Sequence, residues 1–146
     1  MKNKLVAVVC ALLVLGIGSY VILNITKKKT TVGDKEISVT IENRLNEEVD
    51  IIYQGKITTD KEYLGGALDE LVGKNAFSME ASDSGFGRYI ISFNQIEGSG
   101  IGAYWMFESD NNEVCVENGF CSLGMDMLPI NDNDHFIFYL SNSNEY

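Results

Sequence analysis

The chain has 146 residues, of which 21 are acidic and 11 are basic, and its formal net charge is −10 at pH 7. All the acidic residues follow Gly33, where only six basic residues accompany them, so this part of the chain carries a net charge of −15. Nucleic-acid binding depends on Lys and Arg at the phosphates, and this charge therefore excludes nucleic acid as a partner. The charge favours solubility and mutual repulsion; attraction of cations or of a cationic partner is the alternative.

The N-terminal segment is strongly apolar over residues 5–25, and lysines flank it on both sides. About 20 apolar residues span the roughly 30 Å hydrocarbon core of a bilayer. The pattern therefore predicts a single transmembrane signal-anchor, between a short tail of residues 1–4 and a polar linker of residues 26–35. A cleaved signal peptide, a lipoprotein signal and an N-terminal core helix are the alternatives.

Orientation depends on the lysines at the two ends of this segment. Lys2 and Lys4 with the α-amino group balance the three lysines of residues 27–29. The short N-terminus is typical of a signal-anchor whose N-terminus stays in the cytoplasm. This favours an extracellular location for residues 36–146. The predicted localisation is thus the cell membrane, with a single span.

Residues 36–146 are predicted to form one domain in which strands predominate. Alternation of apolar and polar residues, or runs of β-branched and aromatic residues, indicate the strands. The predicted strands are residues 37–41, 49–53, 89–94, 103–107, 113–116 and 135–140.

One helix is predicted between the second and third of these strands. Thr59 and Glu62 have the spacing of a capping box, and apolar residues follow at helical intervals from Tyr63 to Leu71. Gly73 is a natural C-terminal stop. The predicted fold is therefore α+β, a small β-rich domain with one helix packed on the sheet.

Cys115 and Cys121 are separated by five residues that include Asn118 and Gly119. This spacing favours a tight loop closed by a disulfide, which persists in oxidising compartments. Free thiols are one alternative. Metal binding is the other, although two thiolates and His135 supply only three conventional ligands.

The order of these pieces resembles a known family. A helix with the sequence YLGGALDEL (63–71) precedes GRYIISFNQIEG (87–98), which is followed by YWMF (104–107) and then by LPINDND (128–134) before the last strand. Over residues 37–140 the chain is similar to the DUF4430 family, the transcobalamin-like C-terminal domain, in its membrane-anchored bacterial form. The resemblance implies a β-grasp-like fold, and in animal vitamin B12 carriers the similar domain closes over one face of the corrinoid. A cobalamin-type ligand is therefore implied, although the separate helical domain that shares the carrier's site has no counterpart here.

Aromatic residues supply the candidate ligand-binding site. Because successive side chains of a strand alternate between its faces, two of the four residues 104–107 point outward and offer an apolar platform for a ring-shaped ligand or a partner. The alternative is that Trp105 and Phe107 fill the core under the helix. The candidate site residues are Phe86, Tyr89, Tyr104, Trp105 and Met106.

Acidic turns are weak candidates for a cation site. Asp132, Asp134 and His135 form one set and Glu108, Asp110 and Glu113 another, but neither has the spacing of a calcium-binding loop. Turn formation by Asn and Asp is the better interpretation. The sequence contains a single histidine and none of the common nucleophile, metalloprotease or phosphate-loop motifs, so no enzymatic activity is predicted.

Two functions remain. The first is a membrane-tethered, cell-surface ligand-binding module, for a corrinoid or a similar small cofactor, that acts with a transporter or another surface protein. The second is an acidic module for protein interaction or structure, without a small-molecule ligand.

Overall fold

The computed structural model describes residues 33–85, 87–98 and 102–142. The predicted tail and transmembrane segment, with most of the linker, lie outside these residues. No helix within the described ranges is long and apolar enough to cross a bilayer.

Strands dominate the described part of the chain, and two helices interrupt them. In chain order the elements are β1 (Lys35–Asn43), β2 (Asp50–Thr59), α1 (Leu64–Gly73), β3 (Met79–Ser84), β4 (Gly87–Phe93), β5 (Ile96–Glu97), β6 (Ala103–Glu108), α2 (Glu113–Asn118) and β7 (His135–Asn142). The prediction of a small β-rich domain is confirmed, but the described residues contain two helices where one was predicted.

The larger sheet has the strand order β2-β1-β7-β6. β1 pairs in parallel with β7, whereas β1–β2 and β6–β7 pair antiparallel. Alternate residues of the two central strands point to one face, where they are fully buried, as the period of two requires. These residues are Ile37, Val39, Ile41, Phe136, Phe138 and Leu140.

The smaller sheet has the order β3-β4-β5, and aromatic rings connect it to the larger one. Phe93 is fully buried. Its ring centroid lies 4.9 Å from that of Trp105 and 5.6 Å from that of Phe138, both with edge-to-face geometry. Such pairs add about 1 kcal/mol each beyond the apolar area that they bury, so this cluster holds the two sheets together.

Helix α1 buries its apolar face in the same core, through Leu64, Leu68 and Leu71. The predicted capping box is wrong: Tyr63 occupies the N-cap position, and its side chain makes no capping bond. Thr59 still belongs to β2, and its Oγ1 accepts from the N–H of Lys61 at 3.1 Å. The first N–H groups of α1 instead donate to the carbonyl oxygens of residues 125 and 128.

Helix α2 replaces the short strand predicted at residues 113–116. Asn112 caps it, because Asn112 Oδ1 accepts from the N–H of Val114 at 3.1 Å and of Cys115 at 3.4 Å. Gly119 ends it in the left-handed conformation, with φ of 74°. A capping Asn and a terminal Gly are the usual helix boundaries, and they override the β-propensity of Val114 and Val116.

Candidate ligand-binding groove

A groove of about 670 Å³ lies between β4, β6 and the segment that follows α2. Most of its lining is aromatic, aliphatic or sulfur-containing, and Arg88 is the one charged side chain among the described residues that form it. The lining residues are Ser84, Gly87, Arg88, Tyr89, Ile90, Trp105, Met106, Phe107, Phe120, Cys121, Gly124, Met125 and Tyr139. A largely apolar concavity of this size is typical of a small-molecule site.

Three of the five predicted site residues line the groove. Tyr89, Trp105 and Met106 belong to its walls. Tyr104 is half exposed but is not part of the lining. Phe86 lies outside the described residues.

Trp105 belongs both to the core and to the groove. Its side chain is only 9% exposed, and its indole Nε1–H donates to the carbonyl oxygen of Ile96 at 3.0 Å. The neighbouring Phe107 is half-buried against the same core, whereas Tyr104 faces solvent, as the alternation along β6 predicts. Since Trp105 is fixed by packing and by a hydrogen bond, it provides a rigid wall.

The other half of the groove comes from residues that no local pattern brings together. Tyr139 lies beside Met106 because β6 and β7 pair in that register. Phe120 and Met125 come from the irregular segment after α2, and Phe120 is 67% exposed. The only sequence signal for this segment is the pair of cysteines next to it.

The predicted disulfide is confirmed. Cys115 and Cys121 are joined at an S–S distance of 2.05 Å. Cys115 is buried in the core, and Cys121 lines the groove. Because Phe120 precedes Cys121, the disulfide restrains the backbone next to this aromatic residue, which also lines the groove.

Arg88 binds two carboxylates at one end of the groove. Its Nη2 donates to Asp126 at 2.7 Å, and its Nη1 and Nη2 donate to Asp69 at 2.9 and 3.0 Å. The backbone N–H of Arg88 also donates to Asp126, at 2.8 Å. These hydrogen bonds favour the ionised carboxylate, and the side chain of Arg88 therefore lowers the pKa of Asp126 below its usual value.

Arg44 forms a second such cluster beside Tyr139. Its guanidinium carbon lies 4.1 Å from the centroid of the Tyr139 ring, which is a cation–π geometry. Arg44 also donates to Glu42 and, at 2.8 Å, to Glu108. Each of the two arginines near the groove is therefore matched by two carboxylates.

The weak metal candidates have other partners. Asp132 Oδ1 accepts from the N–H of Glu36 at 2.8 Å, and His135 Nε2 lies 3.4 Å from Thr40 Oγ1. In the described ranges, no three His, Cys, Asp or Glu side chains form a group able to hold a metal ion.

The third of these candidates, Asp134, is buried. It accepts from the N–H of Asn131 at 2.9 Å and from Asn112 Nδ2 at 2.6 Å. Burial raises its pKa above the usual value, because desolvation disfavours the charged carboxylate. These bonds give Asp134 a structural role at the start of β7.

Comparison with solved structures shows which class of fold this is. No family model matches the chain, and no curated protein is similar to it in sequence at a significant level. Solved structures do match, and their fold is similar to that of this chain.

One is a protein from Ruminococcus gnavus for which metal binding has been proposed; it is 20% identical, with a TM-score of 0.51, over 74% of this chain and 97% of that one. Another is haptocorrin in complex with Cbi, at 18% identity and a TM-score of 0.53 over 77% of this chain. The match covers 26% of haptocorrin, so this chain corresponds to only about a quarter of that protein.

Proposed function

We propose that this domain is a membrane-tethered binding module of the cell surface, and that its groove holds a ring-shaped small ligand such as a corrinoid. The observation that carries the proposal is the apolar groove itself, in which Tyr89, Trp105, Met106 and Phe120 surround an open volume of about 670 Å³. Flat faces and polarisable thioethers suit a ring. The resemblance in fold to haptocorrin, which is known in complex with Cbi, supports the same ligand class.

The proposal includes membership of the DUF4430 family. Its support is the strand order β2-β1-β7-β6 with parallel central strands and a helix between β2 and the strands that follow, which is a β-grasp-like arrangement. The proposal also includes a partner, which would be a transporter or another surface protein. Catalysis is not part of the proposed function.

The proposed location is the outer surface of the cell membrane. The disulfide between Cys115 and Cys121 supports an oxidising environment. The apolar segment at residues 5–25 supports a tether. Labelling of intact cells with a membrane-impermeant reagent directed at the domain tests this part of the proposal, and absence of labelling would contradict it.

Corrinoid titration of the full-length chain in a neutral detergent tests the ligand. We expect saturable quenching of Trp105 fluorescence by the neutral dicyanocobinamide, together with heat in calorimetry, because Trp105 lines the groove. The variant Met106→Glu places a charge in the groove and should weaken binding at least about tenfold, whereas Tyr104→Glu, outside the groove, should not. No saturation up to about 1 mM, which is weaker than roughly −4 kcal/mol, would overturn the proposal.

A second candidate is the acidic protein-interaction module. The observation that favours it is the exposed apolar surface of the β1–β2 hairpin, where Ile51 of the edge strand β2 and Val49, just before it, are each about half exposed. Apolar residues on an edge strand are a ready surface for another chain. In a pull-down with the wild type, the yield of captured partner should fall as the salt concentration increases. Loss of this partner in Ile51→Lys would further support this function.

A further inference from the structure

Negative charges outnumber positive charges around the groove, and this excess bears on the charge of the ligand. Each of the two arginines near the groove faces two carboxylates: Arg88 binds Asp69 and Asp126, and Arg44 binds Glu42 and Glu108. Every cluster therefore contains one more negative charge than positive charge. No second cation lines the groove within the described residues.

The two outer carboxylates are accessible to a ligand. The side chains of Asp69 and Glu108 are 52% and 47% exposed, whereas their partners Asp126 and Glu42 are 28% and 10% exposed. Neither carboxylate lines the groove itself, but Asp69 binds Arg88, which lines it, and Glu108 follows Phe107, which also lines it. Each surplus negative charge thus belongs to a neighbour of a lining residue, and we call this position the rim of the groove.

Neither arginine is available to an anionic ligand. Nε and Nη2 of Arg88 both donate to Asp126, and Nη1 and Nη2 donate to Asp69. Arg44 is held by two carboxylates and lies over the ring of Tyr139. An anionic group would have to displace these partners, and leaving a carboxylate without its partner costs free energy.

We propose that the groove selects ring-shaped ligands that carry a positive charge, and that Asp69 and Glu108 supply this selectivity. The inference rests on the proposed function, since it assigns a ligand charge to the same groove. The net charge of −15 on the domain acts in the same direction, but it is spread over the surface. Like charges at the rim repel an anionic ligand before it reaches the apolar walls.

Three corrinoids that share one ring test the selectivity. Dicyanocobyric acid carries a carboxylate, dicyanocobinamide is neutral, and the aminoethyl amide of dicyanocobyric acid carries an ammonium group. Calorimetry on the full-length chain in a neutral detergent gives a dissociation constant for each, in excess cyanide so that the axial ligands stay the same. We expect the ammonium compound to bind about fivefold more tightly than the carboxylate, with the neutral compound between them.

Variants identify the residues responsible. Asp69→Asn and Glu108→Gln should each roughly halve the ratio between the ammonium and carboxylate compounds, because each removes one rim charge. Glu80→Gln is the matched control: it removes the same charge from an exposed position on β3, outside the groove, and should leave the ratio unchanged. Raising the salt concentration should bring the ratio towards one, because the Debye length decreases.

The outcomes separate the two proposals. If all three corrinoids bind equally, or if the carboxylate binds most tightly, the charge selectivity is wrong and the ring-binding groove remains. If the ratio is as expected but Glu80→Gln changes it as much as Asp69→Asn does, the assignment to the rim is wrong. If none of the three binds, the proposed function itself fails.

Discussion

Asn112 Nδ2 donates to Asp134 Oδ2 at 2.6 Å, and this bond links the start of helix α2 to the start of β7. The same Asn112 amide caps α2 through its oxygen and donates to the carbonyl oxygen of Pro129 at 3.0 Å. Asn112 is fully buried, and Asp134 is nearly so. One side chain therefore ties together the helix, the segment before β7 and a buried carboxylate.

Replacement of Asn112 should destabilise the domain. In Asn112→Ala the helix loses its cap and Asp134 loses a donor, so we expect the free energy of unfolding to fall by about 1–3 kcal/mol. Denaturant unfolding measures the change. Asn142→Ala, at an exposed position at the end of β7, is the control and should change it by less than about 0.5 kcal/mol.

Asn112→Asp should make the stability depend on pH. This variant keeps an oxygen that can cap α2, but it places a second carboxylate beside Asp134, whose pKa is already raised by burial. A carboxyl group with a raised pKa in the folded state stabilises below its unfolded pKa and loses this contribution as the pH rises. We therefore expect the free energy of unfolding of this variant to be higher near about pH 4 than at neutral pH. A loss of stability on acidification equal to that of the wild type would contradict this.

Asp126 should show the opposite dependence. Because Arg88 lowers its pKa in the folded state, its contribution is present above the unfolded value of 3.8 and is lost as the pH falls through the folded pKa. We expect Asp126→Asn to be less stable than the wild type by about 1 kcal/mol at neutral pH, with the difference shrinking under acid conditions. Asp83 is an exposed carboxylate on β3, and for Asp83→Asn we expect no difference in stability that shrinks under acid conditions. Unfolding curves at several pH values measure both.

Gly65 should not tolerate a side chain. A Cβ at this position would overlap Asp126 Oδ1 and lie 3.1 Å from Arg88 Nη2. Gly65→Ala should therefore displace the Arg88–Asp126 pair and lower the melting temperature, despite the higher helix propensity of Ala. Gly73→Ala is the matched control in the same helix, since nothing lies within 4 Å of its added Cβ, and it should be neutral or stabilising. Equal effects of the two substitutions would contradict the role assigned to Gly65.

Reduction of the disulfide should destabilise the domain and loosen the segment that carries Phe120 at the groove. Closure of so short a loop contributes about 2 kcal/mol in the chain-entropy model. Cys121 and Leu123 pack against the core, and the bond to Cys115 adds a covalent restraint next to Phe120. We expect a reductant to lower the melting temperature of the wild type. The double variant Cys115→Ala/Cys121→Ala should be unaffected by the same reductant.

Local patterns predict much of the larger sheet and little of the smaller one. The strict alternation of residues 37–41 reports burial on one face, and the structure confirms a strand there. β3 has the sequence MEASDS, is half exposed and has no apolar alternation, so only its pairing with β4 makes it a strand. The second half of β2, with Gly55 and Lys56, has too little apolar character to be recognised although Ile57 is buried.

The groove could be predicted only in part for a similar reason. Aromatic residues of one strand, such as Trp105 and Met106, are visible in the sequence as a group. Tyr139 joins them through strand register, and Phe120 joins them through the disulfide, and neither relation has a local signature. Three of the four arginine–carboxylate pairs in the two clusters link positions 19 to 64 residues apart, which no motif indicates.

The parallel pair of β1 and β7 places the first and last described strands side by side in the middle of the larger sheet. During synthesis β1 can form a hairpin with β2 at once, but its other edge stays open until about a hundred further residues have emerged. Contacts between such distant positions slow folding and leave an unpaired edge exposed in the meantime. A nascent domain of this kind is therefore completed late, and a chain that ends before His135 loses a central strand rather than a peripheral one.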